Sequence, residues 1–288
     1  MKIVVFGNKF RKEFPAELTA FLNTLTDKGV ELLFEREFGF SLAAATGYGI
    51  AVGSLFTTPP KANLALSFGG DGTLLRTAGS IYVNQTPILG INFGHLGFLT
   101  DVQSNELPRL ADIIINQEYD IEERIMLHTT TSDGRNFYSV NELTVHKQDI
   151  SSIINIDVHL NGENLNTYHA DGLIISTPTG STAYSLSVGG PILMPESHNL
   201  IVAPVASHSL NDRPLVIPDD SHIDLHVTAR SNQYILASDG ESLPLTTGTT
   251  LHIERADHNL HIIHLKNHSF LKTLKTRLFY GMDKRIDN

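Results

Sequence analysis

The hydrophobic period of the chain changes near residue 101, and one layer of secondary structure cannot satisfy both periods. Before that point, short and predominantly apolar segments at 3–6, 30–34, 64–68 and 88–92 alternate with stretches of helical spacing. Apolar strands of this kind are buried on both faces, which happens when helices cover a parallel sheet on each side. Leu18, Phe21, Leu22 and Leu25 recur at helical spacing, and Gly29 stands where a helix C-terminus favours glycine. The stretch 35–61, with Gly39, Gly47, Gly49, Gly53 and Pro59-Pro60, predicts a helix and a mobile loop. A further helix is expected from about Leu74 and another over 107–115.

Beyond residue 101, apolar and polar residues alternate. Ile154, Ile156, Val158 and Leu160 interleave with polar residues and run into Asn161-Gly162, a pair that tolerates positive φ in a tight hairpin. The same alternation recurs at Ile223, Leu225 and Val227, at Leu251 and Ile253, and at Leu260 and Ile262, which predicts an antiparallel β domain. The tail returns to helical spacing: Ser269 is a candidate N-cap, Leu271, Leu274 and Leu278 share one face, and Gly281 closes the helix. The expected division is an α/β domain over 1–101, a β-rich domain over 102–268 and a C-terminal helix over 269–288. A length of 288 residues suits two domains.

Composition narrows the function classes. Thirty-one acids against 21 bases give a formal charge of −10, with no basic cluster for duplex DNA or an anionic membrane surface. There is no cysteine, which removes disulfide scaffolds, thiolate metal sites and thiol nucleophiles. The first ten residues lack the length and cleavage pattern of a signal peptide, and no apolar stretch reaches the roughly 18 residues of a membrane helix. A cytoplasmic, soluble protein is the expectation.

Three segments carry candidate chemistry. Gly69-Gly70-Asp71-Gly72-Thr73 joins an apolar strand to a helix start, where free N–H groups and the helix dipole favour anions. It is neither a dinucleotide fingerprint, since the third glycine position falls on Leu75, nor a P-loop, since no Lys-Ser/Thr follows. Asp71 in such a turn either bonds its own backbone or takes a proton beside bound phosphate. The second segment, 171–185, leads an apolar strand into a Thr/Gly/Ser turn and a predicted helix. Its small hydroxyl residues cap helices, and they also bind ribose hydroxyls or phosphate. Tyr184 either packs or stacks on a base. The third, Asn141-Glu142, says nothing on its own. His222, Asp224 and His226 share a strand face at a spacing that chelates metals, but a solvated face is the simpler account. Gly47, Gly49 and Gly53 read as a flexible loop.

Taken together these segments resemble the NAD kinase (ATP-NAD kinase) family. The likeness covers 69–73, 90–92, 94–101, 141–142, 171–172, 177–187, 189–191, His208-Ser209-Leu210 with Arg213-Pro214, and Asp239-Gly240, in family order. Gly-Gly-Asp-Gly is shared with lipid kinases and phosphofructokinases; the run 177–187 is far more specific. The resemblance implies a Rossmann-like α/β N-terminal domain, a C-terminal β-sandwich, and a last helix packing back on the first domain. It implies transfer of the ATP γ-phosphoryl group to the 2′-hydroxyl of the adenosine ribose of NAD, with a divalent cation, Mg²⁺ being expected, in a homo-oligomer that is a dimer or a tetramer.

By resemblance, Asp71 accepts or orients the ribose hydroxyl proton, and the dinucleotide contacts Asp71, Gly72, His95 and Phe98. Asn141 and Glu142 bind adenine and ribose, while Thr182, Ala183, Tyr184 and Ser187 shape the adenosine pocket, and Ser185 and Leu186 count among the cofactor-binding residues. His169 and Asp171 lie towards the nicotinamide end, and Ala206 is a further cofactor-binding residue. Glu241 stands where the family often has Gln, and His169 where members vary, which leaves NAD and NADH both open as acceptors. No residue is assigned as a metal ligand. Two rivals stay open: a lipid or sugar kinase with the same glycine turn, and a non-catalytic NAD sensor. Both proposed substrates are polyanions on an acidic protein, and Arg76 is the one base near the glycine turn in sequence. Backbone N–H groups and a cation would then hold the phosphates.

Overall fold

Ile3, Val4 and Val5 expose no surface, as the apolar run at the start of the chain requires of a central parallel strand. The structure, a computed structural model, describes residues 1–8, 13–94, 97–100, 102–149, 152–266 and 268–281. It divides into two units, Met1–Glu123 with Leu260–Asn288, and Arg124–Asn259.

The first unit is built on an eight-stranded sheet. Its order is Leu55–Phe56, Glu31–Glu35, Lys2–Gly7, Leu64–Phe68, Ile88–Asn92, Leu260–Leu265 and Tyr119–Arg124, with Val102–Gln103 also pairing to Ile88–Asn92. The registers among the first five of these strands are parallel, as are those that join Val102–Gln103 and Leu260–Leu265 to Ile88–Asn92. Helix Ala16–Asp27 buries Leu18, Phe21, Leu22 and Leu25, the four residues its periodicity singles out. Gly29 follows with φ +80°, just past the end. Helix Arg36–Thr46 ends on Gly47 in the left-handed conformation. Gly47 is therefore a helix cap. The rest of the stretch expected to be loop contains a short turn at Val52–Ser54 and the edge strand Leu55–Phe56.

Two expectations need correction. Leu260 and Ile262 alternate with polar residues, yet Leu260–Leu265 belongs to the parallel sheet, with Ile262 opposite Ile88. Likewise 102–123, through helix Leu107–Asn116 and strand Tyr119–Arg124, groups with the first unit. Alternation reports which faces of a strand meet water, not its direction, and strands near the edge of a parallel sheet alternate too. The last helix, Phe270–Leu278, groups with the first unit. Ser269 caps it by accepting from the Lys272 N–H, but only Leu274 is buried, while Leu271 is 55% exposed. One buried leucine, about 2 kcal/mol, is its apolar anchor.

The second unit holds two six-stranded antiparallel sheets. One runs Leu215–Pro218, Asn199–Val205, Gly172–Ser176, Glu142–Lys147, Gln233–Ser238, Glu241–Thr246. The other runs Glu163–Ala170, Ile154–Leu160, Ile223–Ala229, Thr250–Arg255, Leu127–Thr131, Asn136–Ser139. Inward residues of both, among them Leu143, Ile175 and Leu236 against Ile156, Leu225 and Ile253, form one core, so the unit is a β-sandwich. Asn161 and Gly162, at φ 51° and 84°, make the two-residue hairpin turn. Opposite the core, Asp224 meets His252 at 2.6 Å and His226 meets Thr250, so the face of His222, Asp224 and His226 is a solvated polar network.

Candidate functional site

Candidate site residues fall in both units, and each group is built from its own unit. In the first, strand Leu64–Phe68 ends at Gly69, whose N–H donates to the Ile91 carbonyl. A side chain there would stand 2.3 Å from Thr73 Oγ1, so the turn requires glycine. Helix Asp71–Ile81 then begins with Gly70 as an N-cap that has no side-chain bond. The N–H groups of Gly70, Asp71 and Gly72 have no acceptor among the described residues. Three free donors at a helix N-terminus suit a phosphate.

Asp71 is the first helical residue, and its carboxylate turns onto the segment 98–100. Oδ1 accepts from Leu99 N–H (3.1 Å), Thr100 N–H (3.1 Å) and Thr100 Oγ1 (2.9 Å); Oδ2 accepts from Phe98 N–H at 2.7 Å. Each carboxylate oxygen offers about two lone-pair positions; three donors share Oδ1 and one meets Oδ2, so one position remains, on Oδ2. The carboxylate reaches this loop because Gly97 has no side chain: a Cβ there would lie 1.9 Å from Asp71 Oδ1. Buried Thr100 in turn accepts from Asn92 Nδ2 at 3.1 Å, and Asn92 Oδ1 accepts from Gly94 N–H. Arg76 is committed elsewhere, to Glu35 at 3.0 Å and the Gly7 carbonyl at 2.6 Å. His95 lies outside the described residues.

In the second unit the polar end of strand Glu142–Lys147 meets the turn after Gly172–Ser176. Thr177 donates through its N–H to the Asn141 carbonyl and through Oγ1 to the Val140 carbonyl. A side chain on Gly180 would strike the Asn141 carbonyl at 2.1 Å. Most hydroxyls in the turn are consumed in building it: Ser181 bonds Pro178 O, Thr182 bonds Thr179 O, and Thr179 Oγ1 receives Arg124. The predicted helix is two short pieces, Thr179–Thr182 and Tyr184–Ser187, which Gly189 at φ +83° terminates. The Asn141 side chain and the buried Ser185 Oγ have no partner among the described residues.

Tyr184 stacks on His146 with ring centres 5.6 Å apart and stays 37% exposed, which leaves ring surface for a planar ligand. Burial pushes the Tyr184 phenol up, and the charges of Glu142 and Asp171 add to that. Glu142 pairs with Ser176 and His146 with Gly172, so Asn141-Glu142 and Asp171 bracket about 13 Å of sheet. Asp171 meets Lys147 at 2.7 Å. His169, exposed and bonded to Asn155, lies on the adjoining strand end; Ala206 follows Asn199–Val205 at φ 47°. Leu186 is half-buried and Ser187 exposed, while Ala183 links the two short pieces. Glu241 is exposed at the start of its strand.

Asp239, matched in sequence only as part of Asp239-Gly240, takes on a role that the sequence did not assign. It sits in the hairpin turn before Glu241 at φ 46°, and its carboxylate accepts N–H bonds from Val140 (2.6 Å), Asn141 (2.8 Å) and Glu142 (3.1 Å). It thereby fixes the backbone that presents Asn141 and Glu142. An Asp-Gly pair in a hairpin reads as turn chemistry alone, so only the long-range contact exposes this role.

Glu142 is pushed up to about 7, chiefly by burial and then by the Asp239 charge, with the Tyr184 N–H pulling the other way. Between the ordinary 4.5 and 7, the folded chain binds more protons at this site than the unfolded one. Stability therefore falls as pH rises through that window, by about 3 kcal/mol from this group. Glu142→Gln should remove that slope. The measurement is melting temperature from pH 4.5 to 8 for both proteins; parallel curves would refute the assignment.

Comparison with known proteins agrees with this architecture. The ATP-NAD kinase N-terminal domain family matches residues 11–119 and the ATP-NAD kinase C-terminal domain family matches 140–265. The chain is 42% identical to an NAD kinase of Porphyromonas gingivalis over 97% of its length and 98% of that protein. It is 41% identical to an NAD kinase of Bacteroides fragilis over 99% of its length and 100% of that protein. The crystal structure of yeast NADH kinase complexed with NADH superposes with a TM-score of 0.85 at 22% identity, covering 100% of this chain and 90% of that one, which speaks to the fold. With two family domains matched in order and relatives aligned along nearly the whole sequence, the chain belongs to the NAD kinase family.

Proposed function

We propose that the protein transfers the γ-phosphoryl group of ATP to the 2′-hydroxyl of the adenosine ribose of NAD, giving NADP. The observation that carries this reading is the free N–H cluster of Gly70, Asp71 and Gly72 beside a carboxylate with one open lone pair. The turn holds phosphate oxygens through main-chain donors. Asp71 Oδ2 receives the proton of the 2′-hydroxyl as that oxygen bonds to the γ-phosphorus and ADP leaves. Phosphoryl transfer asks for positioning and charge stabilisation more than covalent chemistry, so few side chains suffice. Asn141, Glu142 and Tyr184 hold the adenosine, and the strand length from Glu142 to Asp171 gives the rest of the dinucleotide a path.

A divalent cation, Mg²⁺ in this proposal, fits a restricted set of donors. Asp71 has one lone pair to spare, so it serves the hydroxyl or the ion but not both. An ion of this kind keeps several waters and binds largely through substrate phosphates. When bound it neutralises charge on the phosphoryl oxygens. Arg76 cannot substitute, being paired with Glu35. We assign the chain to a homo-oligomer as well: the edge strand Leu215–Pro218 exposes Leu215 and Val216, and Leu210 nearby in sequence is 91% exposed. Light scattering decides that point. A cytoplasmic location, consistent with the lack of cysteine, stays part of the proposal and is open to cell fractionation.

The test incubates purified protein with ATP, Mg²⁺ and NAD and measures NADP with an NADP-specific dehydrogenase. NADP should form, and EDTA in excess of Mg²⁺ should abolish it. Binding of NAD without product would make the protein a sensor, and phosphorylation of a lipid or sugar in its place would make it a different kinase. Activity that survives EDTA would contradict the cation.

A further inference from the structure

We propose that Glu122, His264 and His268 form a binding site for one transition-metal ion, Zn²⁺ being the representative, in the first unit. None of the three belongs to the residues assigned above to nucleotide binding. His264 is buried near the end of strand Leu260–Leu265, and Glu122 stands on the neighbouring strand Tyr119–Arg124. His264 Nε2 lies 2.8 Å from Glu122 Oε2. His268 follows four residues later, before helix Phe270–Leu278, and its ring stacks on His264 with centres 3.8 Å apart and planes at 14°. One donor atom from each of the three falls within 4.8 Å of the others.

The donor chemistry selects the ion. Two imidazoles and a carboxylate suit Zn²⁺, Ni²⁺ or Cu²⁺, whereas Mg²⁺ takes oxygen ligands. The His-x₃-His spacing is one that zinc sites use, and three protein ligands leave a fourth position open. A tetrahedral ion with bonds of about 2.1 Å needs donors closer together than 4.8 Å, so one ligand must draw in. The nearly parallel rings must also part, because each nitrogen lone pair lies in its own ring plane. His268 is the ring with room beside it: it is half-buried and lines a cavity of about 360 Å³, whereas His264 is 2% exposed. That cavity is the entry path. Lys266, Lys272 and Arg277 also line it, and they oppose a bare cation, which the Glu122 charge offsets.

The simpler account is a buried Glu–His pair covered by a stacked ring. To decide, the full-length chain is stripped with chelator and titrated with Co²⁺ without nucleotide. One Co²⁺ per chain should bind, with the intense visible bands of a four-coordinate site, and Zn²⁺ should displace it. His268→Gln and Glu122→Gln should each weaken binding by at least about tenfold and lose the bands, with melting temperature and Mg²⁺-supported turnover near those of the parent. His268 is partly exposed, so its replacement keeps the test open even if changes at His264 unfold the chain. No bands at one equivalent overturns the site. So do bands that persist in both variants, which would place the ion on another of the 14 histidines.

Discussion

Asp71→Asn is expected to lower turnover by about 10²- to 10⁴-fold, the usual contribution of a positioned general base, while NAD affinity changes little. The geometry makes the expectation specific. An amide can keep its oxygen where Oδ1 accepts from Leu99 and Thr100, but its NH₂ then faces the Phe98 N–H that Oδ2 receives at 2.7 Å. Donor would meet donor, and the lone pair available to a hydroxyl would be gone. The lost bond costs about 1–3 kcal/mol locally, too little to unfold the chain. Turnover and NAD affinity should therefore separate. Near-normal turnover in a folded Asp71→Asn protein would remove this residue from the chemistry.

Asp239→Ala should produce the largest loss of stability. Its carboxylate is the shared acceptor for the Val140, Asn141 and Glu142 N–H groups. Burial raises its carboxyl above the usual range, and those three bonds pull against that rise. Truncation strands three donors at the head of a central strand, at a combined cost of about 3–5 kcal/mol, out of the 5–15 kcal/mol typical of a whole domain. The melting temperature should fall by about 10 °C or more, and NAD affinity should fall with it as Asn141 and Glu142 lose their support. Asp239→Asn should be milder, since an amide oxygen still accepts. Either neutral variant also removes a charge that raises Glu142, so the Glu142 titration should move down. A melting temperature within about 2 °C of the parent would mean that the donors find other partners.

The sequence made the fold legible where burial is symmetric. Strands such as Leu64–Phe68, covered on both faces, announce themselves, and helix Ala16–Asp27 shows its buried face residue by residue. It misled at Leu260–Leu265, where alternation mimics the antiparallel unit. The candidate site appeared as motifs, because glycine turns and hydroxyl clusters are contiguous. What stayed hidden was partnership across sequence distance: Asp239 with residue 140, Thr100 with Asp71, Arg76 with Glu35. The hydroxyls of 176–182 looked like ligand donors, yet most of them hold the turn together.

The carboxylate of Asp71 reaches its loop only across the empty space above the Gly97 Cα, and the Gly69 turn closes only because nothing projects toward Thr73. In both places the working feature is a void the size of a methyl group. Selection acting on this protein would thus guard two positions that carry no side chain and no reactive group. A chemist searching for functional groups would pass over both. Heritable change is tolerated least where the chain has no side chain to alter.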